Sequence, residues 1–192
     1  QRLDAAAPGL RYANLAVRGK LLDQIVADQV SRAVVAAPHL VGLSAGGNDL
    51  MRPGADPDEL AARYDAAVAS LRTVGSQVLV FPGADSRGVP LLQRMRGKVA
   101  TYNEHLRSIA LHRGCVVVDL WAMQALRDAR AWSPDRIHLT AEGHERVALL
   151  AAQALGLAIE ADPFEPWPAQ DALTKAEARR ANRAWAREYL GP

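Results

Sequence analysis

The sequence predicts an α/β protein, a three-layer α/β/α sandwich built about a parallel sheet. Two observations carry that expectation. Short, nearly continuous apolar runs rich in Val, Ile and Leu alternate with longer segments whose apolar residues recur close to a 3.6-residue period. Runs of the first kind read as strands buried on both faces, the situation of strands in parallel sheets. Right-handed crossovers then place the intervening helices on the two faces of the sheet. A chain of 192 residues is long enough for one such domain with a sizeable core.

The elements follow in order. Residues 10–17 (LRYANLAV) form a plausible first strand. A helix over 20–37 follows, with Leu21, Leu22, Ile25, Val26, Val30 and Val34 as its apolar stripe and Pro38 as its stop. Residues 39–44 (HLVGLS) read as a short buried strand. Residues 57–74 read as a helix with Asp56 as N-cap and Pro57 at the first helical position. A third strand over 77–81 (QVLVF) ends at Pro82-Gly83, and residues 91–112 are largely helical with an irregular start. Residues 115–120 (CVVVDL) form the fourth strand. A short helix near 123–130, a loop over 132–139 and a helix over 140–155, capped by Thr140, complete the unit. The character then changes. Residues 161–170 contain three prolines and cannot form regular helix, whereas 171–190 are helical again with a Thr174…Glu177 capping-box pattern. The expected organisation is therefore an α/β domain over 1–156 and a Pro-rich linker with a helical arm over 157–192. That arm either docks back on the domain or binds a partner.

Composition excludes several function classes. Lys and Arg number 23 against 21 Asp and Glu, a net charge of +2 that leaves no broad electrostatic footprint for nucleic acid or an anionic membrane. No run approaches the roughly 20 apolar residues of a membrane span. Cys115 is the single cysteine, so no intrachain disulfide forms, and its run with three valines reads as a buried, inert thiol. A cytoplasmic setting is the expectation. The first residues, Gln1-Arg2-Leu3-Asp4, lack an initiator Met and read like the tail of a helix, as in a fragment or a processed product.

Three short motifs fall at the carboxyl ends of the expected strands, where open α/β sheets bind their ligands. In Ser133-Pro134-Asp135-Arg136-Ile137-His138, an Asp three residues before a His can accept from the His Nδ1 and leave Nε2 as a general base. The same residues also read as a surface Asp and a helix-capping His. A metal site from Asp135, His138 and His144 lacks a further suitably spaced carboxylate or cysteine, and no metal is expected. Gly46-Gly47-Asn48-Asp49 follows a strand, where glycines admit close backbone approach and an Asn amide can donate to a developing oxyanion. It also reads as an ordinary turn, with Asp49 bracing the loop. Gly19, closing Asn14-Leu15-Ala16-Val17-Arg18-Gly19, sits where a backbone N–H can face an anion, or simply turns the chain.

Taken together, NLAVRG, GGND and DRIH, in this order and on these strand ends, resemble the SGNH hydrolase superfamily, the GDSL-type lipases and acylhydrolases, over roughly residues 10–155. The resemblance implies a flavodoxin-like sandwich and a serine esterase that acts on a small-molecule ester without a metal or organic cofactor. It implies His138 as base, Asp135 as its orienting partner, and Asn48 with the Gly19 amide as oxyanion donors. The family's Gly-Asp-Ser block, which belongs to a strand upstream of the glycine block, has no counterpart here. Ser31, Ser44, Ser70, Ser76, Ser86, Ser108 and Ser133 are all poorly placed to replace it. Two readings follow: an esterase whose nucleophile lies on an upstream segment or N-terminal fragment, or a non-catalytic relative that binds an acyl or sugar ester. A response-regulator-like module is a third, and its acidic phosphorylation pocket is not found in the sequence.

Overall fold

The computed structural model describes residues 7–88, 92–170 and 173–189. A parallel three-stranded sheet lies at its centre, in the order β1 (Leu40–Leu43), β2 (Gln77–Val80), β3 (Val116–Val117). Leu40 pairs with Gln77 and Leu43 with Val80; Leu79 and Val80 pair with Val116 and Val117. Along β2 the side chains alternate between two cores. Val78 and Val80 pack on one face with α1 (22–36), α3 (Pro57–Thr73) and α4 (Arg96–Arg113), while Leu79 packs on the other with α5 (Ala141–Ala154). Both faces of the strand are thus covered, as its unbroken apolar run requires, and the layers are α/β/α.

Local chemistry explains the helix ends. Asp56 accepts from Asp58 N–H at 2.8 Å and Pro57 opens α3; Thr140 accepts from Gly143 N–H at 3.1 Å and opens α5. The first helix carries a π-turn over Ile25–Val30 between α-helical turns Leu22–Gln24 and Ser31–Ala36. Its buried residues are Leu22, Ile25, Val30 and Ala33. The five-residue step from Ile25 to Val30 is one too many for an α-helix face, and the π-turn absorbs the extra residue.

Three expectations need correction. Residues 10–17 are not a strand: they run irregularly, with Tyr12 80% and Val17 53% exposed. An extended segment becomes a strand only by pairing, and among the described residues nothing pairs with it or with the outer edge of β1. The fourth strand contracts to Val116–Val117, because beyond Val118 the chain leaves the ladder for turns. The short helix near 123–130 is two 3₁₀ turns, Gln124–Arg127 and Ala129–Ala131, split at Asp128, whose carboxylate accepts from Arg130 N–H. The irregular start of the 91–112 helix is a 3₁₀ turn over Leu92–Met95; residue 91, and residues 171, 172 and 190 of the arm, lie outside the described residues.

The arm begins with an irregular stretch that Trp167 fastens to the domain. Its Nε1–H donates to Ala125 O at 2.8 Å, and the Arg130 and Arg146 guanidinium groups lie 5.0 and 4.4 Å from its ring. Helix α6 (Lys175–Tyr189) follows, opened by the expected capping box: Glu177 accepts from Thr174 N–H at 2.8 Å.

Candidate active site

Three segments build the site: the loop after β1, the glycine block that leads into α1, and the turn over 133–138 beyond β3. After β1, the chain turns through Gly46 at φ +97° into the single-turn helix α2 (Gly47–Leu50). A Cβ on Gly46 would stand 2.5 Å from the Tyr102 hydroxyl, which itself donates to Ala45 O at 3.3 Å. Tyr64 fixes the last residue of β1 by donating to Leu43 O at 2.8 Å. Gly46→Ala therefore meets both a disfavoured backbone region and a hard contact with a buried ring. Its expected cost is roughly 2–5 kcal/mol, read from denaturant midpoints. Gly47→Ala, with nothing within 4 Å of the added atom, is expected to be near neutral. Similar midpoints for the two variants would contradict this reading.

The GGND loop and the glycine block hold each other. Asn48 Nδ2–H donates to Lys20 O at 2.9 Å, and Asp49 Oδ2 accepts from Leu22 N–H at 3.0 Å at the start of α1. Asp49 thus satisfies one of the N–H groups that a helix leaves unpaired at its N-terminus. Between them Gly19 adopts φ +81°, with nothing within 4 Å of a Cβ position, so conformation rather than space demands glycine there.

The third loop carries Asp135 and His138. Trp132 and Leu139 form an antiparallel bridge at its neck, and Ser133 N–H donates to His138 O at 2.7 Å. Arg136 occupies the tip of the turn at φ +58°. Within it Asp135 Oδ1 accepts from the backbone N–H groups of Ile137 and His138, both at 3.0 Å, and Oδ2 lies 2.8 Å from His138 Nδ1. These contacts, the His138 backbone N–H first, hold the Asp135 carboxyl well below the usual carboxylate range.

The sign of the pH effect follows. A depressed folded-state pKa contributes stability that is present above the unfolded value of about 3.9 and is lost only as pH falls through the lower folded value. The Asp135 carboxylate is therefore expected to stay ionised through the interval where ordinary exposed carboxylates protonate. A ¹³C NMR titration of its side-chain carbon checks this, and a midpoint at or above about 3.9 contradicts it.

Sequence reasoning missed Arg18, whose only signal is a cation directly before Gly19. Its guanidinium nitrogen lies 2.8 Å from Asp135 Oδ2 and 2.7 Å from His138 Nδ1. One Nδ1 cannot both donate to Asp135 and accept from Arg18. With Asp135 ionised, the charge-assisted Nδ1–H···O⁻ bond is the stronger, and Arg18 then serves as second donor to Asp135. That tautomer puts the proton-accepting lone pair on Nε2.

A cavity of about 800 Å³ joins the three loops. Gly19, Asn48 and His138 all line it, with Asp135 behind His138. Apolar Val17, Ile25, Leu50, Met51 and Phe81 form much of its wall. Two features of the wall after β2 were also not read from the sequence. Asn103, buried to 1% exposure, clasps Gly83 by accepting from its N–H at 2.7 Å and donating to its carbonyl at 2.8 Å. Asp85, equally enclosed, pairs with Arg96 at 2.6 Å and Arg127 at 3.2 Å, and the Arg96 hydrogen bond leads in lowering its carboxyl pKa. Ser44 and Ser86 also line the cavity. Among the described residues no three His, Cys, Asp or Glu side chains converge as a metal-binding group. Among them, too, no helix is long and apolar enough to cross a membrane. Cys115 is half-buried rather than buried as expected, and the burial it has raises its thiol pKa.

An α/β/α sandwich about a parallel sheet, with these loops, defines an SGNH-type α/β hydrolase fold, and the chain belongs to the GDSL-like lipase/acylhydrolase family, whose model matches residues 1–146. Solved structures agree on the fold. A variant of Axe2, an acetyl xylan esterase from Geobacillus stearothermophilus, superposes with a TM-score of 0.70 at 21% identity, over 83% of this chain and 80% of that one. LAE5, an alpha/beta hydrolase enzyme from the metagenome of Lake Arreo, Spain, gives 0.68 at 22% identity over 81% and 78%. TesA gives 0.67 at 19% identity over 80% and 82%. No curated protein matches the chain.

Proposed function

We propose that the protein is a carboxylic ester hydrolase of the serine type, acting on a small-molecule ester without a metal or organic cofactor. The observation that carries this reading is the 2.8 Å contact between His138 Nδ1 and Asp135 Oδ2, at the edge of the cavity that Gly19 and Asn48 also line. In the proposed mechanism His138 Nε2 removes the proton of a serine hydroxyl as that oxygen attacks the ester carbonyl. Asp135 holds the tautomer and stabilises the imidazolium that forms. The Gly19 N–H and the Asn48 amide donate to the tetrahedral oxyanion, and His138 then returns its proton to the leaving alcohol. Residues 1–156 would form the catalytic domain and 157–192 an arm laid along it.

The nucleophile is proposed to lie on a further strand that pairs with the outer edge of β1, with a Gly-Asp-Ser-like turn at its carboxyl end. This follows from the family resemblance and from the unpaired edge of β1 among the described residues. Ser44 closes β1 on the cavity wall, but it belongs to the oxyanion loop and is not assigned the attack. The test compares hydrolysis of p-nitrophenyl acetate by the 192 residues alone and by a chain extended upstream through its natural reading frame. Turnover restored by the extension supports the proposal. Full turnover by the 192 residues alone contradicts the placement of the nucleophile, and none by either chain favours a non-catalytic protein that binds an acyl or sugar ester.

A further inference from the structure

Helix α6 reaches the site from outside the catalytic domain and touches the turn that carries the acid–base pair. Trp185 Nε1–H donates to Pro134 O at 2.9 Å, one residue before Asp135. Arg136, one residue after it, donates to Asn182 Oδ1 at 2.7 Å and lays its guanidinium 4.8 Å from the Trp185 ring. Tyr189 stacks on the other part of the same anchor, with ring centroids 5.9 Å apart. Leu173, Ala178, Ala181 and Asn182 meanwhile line the cavity.

These contacts are not the by-product of core formation, since no residue of α6 is buried. A helix so exposed derives little stability from burial, yet its polar contacts converge on two residues of a six-residue turn. That turn needs outside support. Arg136 holds a left-handed conformation that a non-glycine residue keeps only where its surroundings impose it. Inside the turn the constraints are the backbone bonds from Ser133 and the Asp135 side chain; outside it Trp185 and Asn182 hold Pro134 and Arg136, and Arg18 reaches the Asp135 and His138 side chains.

We propose that Trp185 is a positioning residue for the Asp135–His138 pair, and that α6 acts as a clamp holding the turn while forming one wall of the substrate cavity. The inference rests on the esterase reading for its effect on turnover, but not for its effect on the pair's geometry. Displacing reacting groups by about 1 Å can cost about 10²-fold in rate, so a remote clamp can matter without touching substrate.

The experiment measures two things on the chain extended upstream through its natural reading frame and on its Trp185→Ala and Trp185→Phe variants. The first is the ¹H–¹⁵N signal of the His138 Nδ1–H bonded to Asp135. The second is the split between kcat and KM on p-nitrophenyl acetate, a substrate too small to need the α6 wall. Trp185→Ala is expected to broaden or abolish the Nδ1–H signal and to lower kcat by about 10- to 10²-fold, with KM little changed. Trp185→Phe keeps a ring against Arg136 and Tyr189 but lacks the N–H donor, and is expected to fall between. An unaltered Nδ1–H signal in Trp185→Ala overturns the proposal, as does a change in melting temperature alone. A parent protein that hydrolyses no ester, but whose Nδ1–H signal still depends on Trp185, leaves the clamp standing and overturns the esterase reading instead.

Discussion

His138→Ala is expected to lower kcat for ester hydrolysis by roughly 10⁴–10⁶-fold while leaving the fold intact. The side chain is part-exposed on the cavity, so its removal opens no hole in either core. What is lost is the proposed general base: an imidazole whose Nδ1 is committed to an ionised carboxylate. Asp135→Asn is expected to be less damaging or comparable. The amide can still accept from the Ile137 and His138 N–H groups through its oxygen, but the charge that fixes the tautomer is gone. Steady-state kinetics on p-nitrophenyl acetate, in the chain extended upstream through its natural reading frame, check both variants. More than about a tenth of the parent turnover in His138→Ala would remove His138 from the role of general base, because a lost base costs orders of magnitude.

The second large effect belongs to Asn48. Asn48→Ala is expected to lower kcat by roughly 10²–10³-fold, about 2.7–4 kcal/mol, with KM nearly constant, because an oxyanion donor acts mainly on the transition state. One of its two amide hydrogens is given to Lys20 O, and the second is the one proposed to meet the oxyanion. The bond to Lys20 also steadies the stretch beside Gly19, which means that the variant disturbs both proposed donors together. Equal losses in binding and turnover would instead mark Asn48 as a general substrate contact. No change at all would reduce it to a turn residue.

The parts of this architecture set by local chemistry were legible in the sequence. Asp56, Thr140 and the Thr174…Glu177 pair announce their helix starts because a cap and the N–H groups it serves lie within three residues. The strands at Leu40–Leu43 and Gln77–Val80 were legible because burial on both faces writes an unbroken apolar run. What escaped was non-local. Residues 10–17 have a strand's composition, but composition cannot supply the neighbour that a strand must pair with. The π-turn at Ile25–Val30 leaves only a one-residue slip in the stripe, too small to separate from noise in a single helix. The motif residues Gly19, Asn48, Asp135 and His138 could be named from their spacing, and three of them line one cavity. Arg18, Trp185 and Asn182 could not. Their partners lie 117, 51 and 46 residues away, and no short-range pattern marks such contacts.

His138 and Asp135 are proposed to activate a serine at this cavity. Labelling with a fluorophosphonate, which phosphonylates serines made nucleophilic by an adjacent base, tests it most directly. The reagent is applied to the protein extended through its natural reading frame, and the adduct is located by peptide mass spectrometry. The expected result is a single adduct, on the serine of a Gly-Asp-Ser-like turn upstream of residue 10, and its loss in His138→Ala. An adduct on Ser44, Ser86 or any other serine of these 192 residues, or labelling that survives His138→Ala, would contradict it.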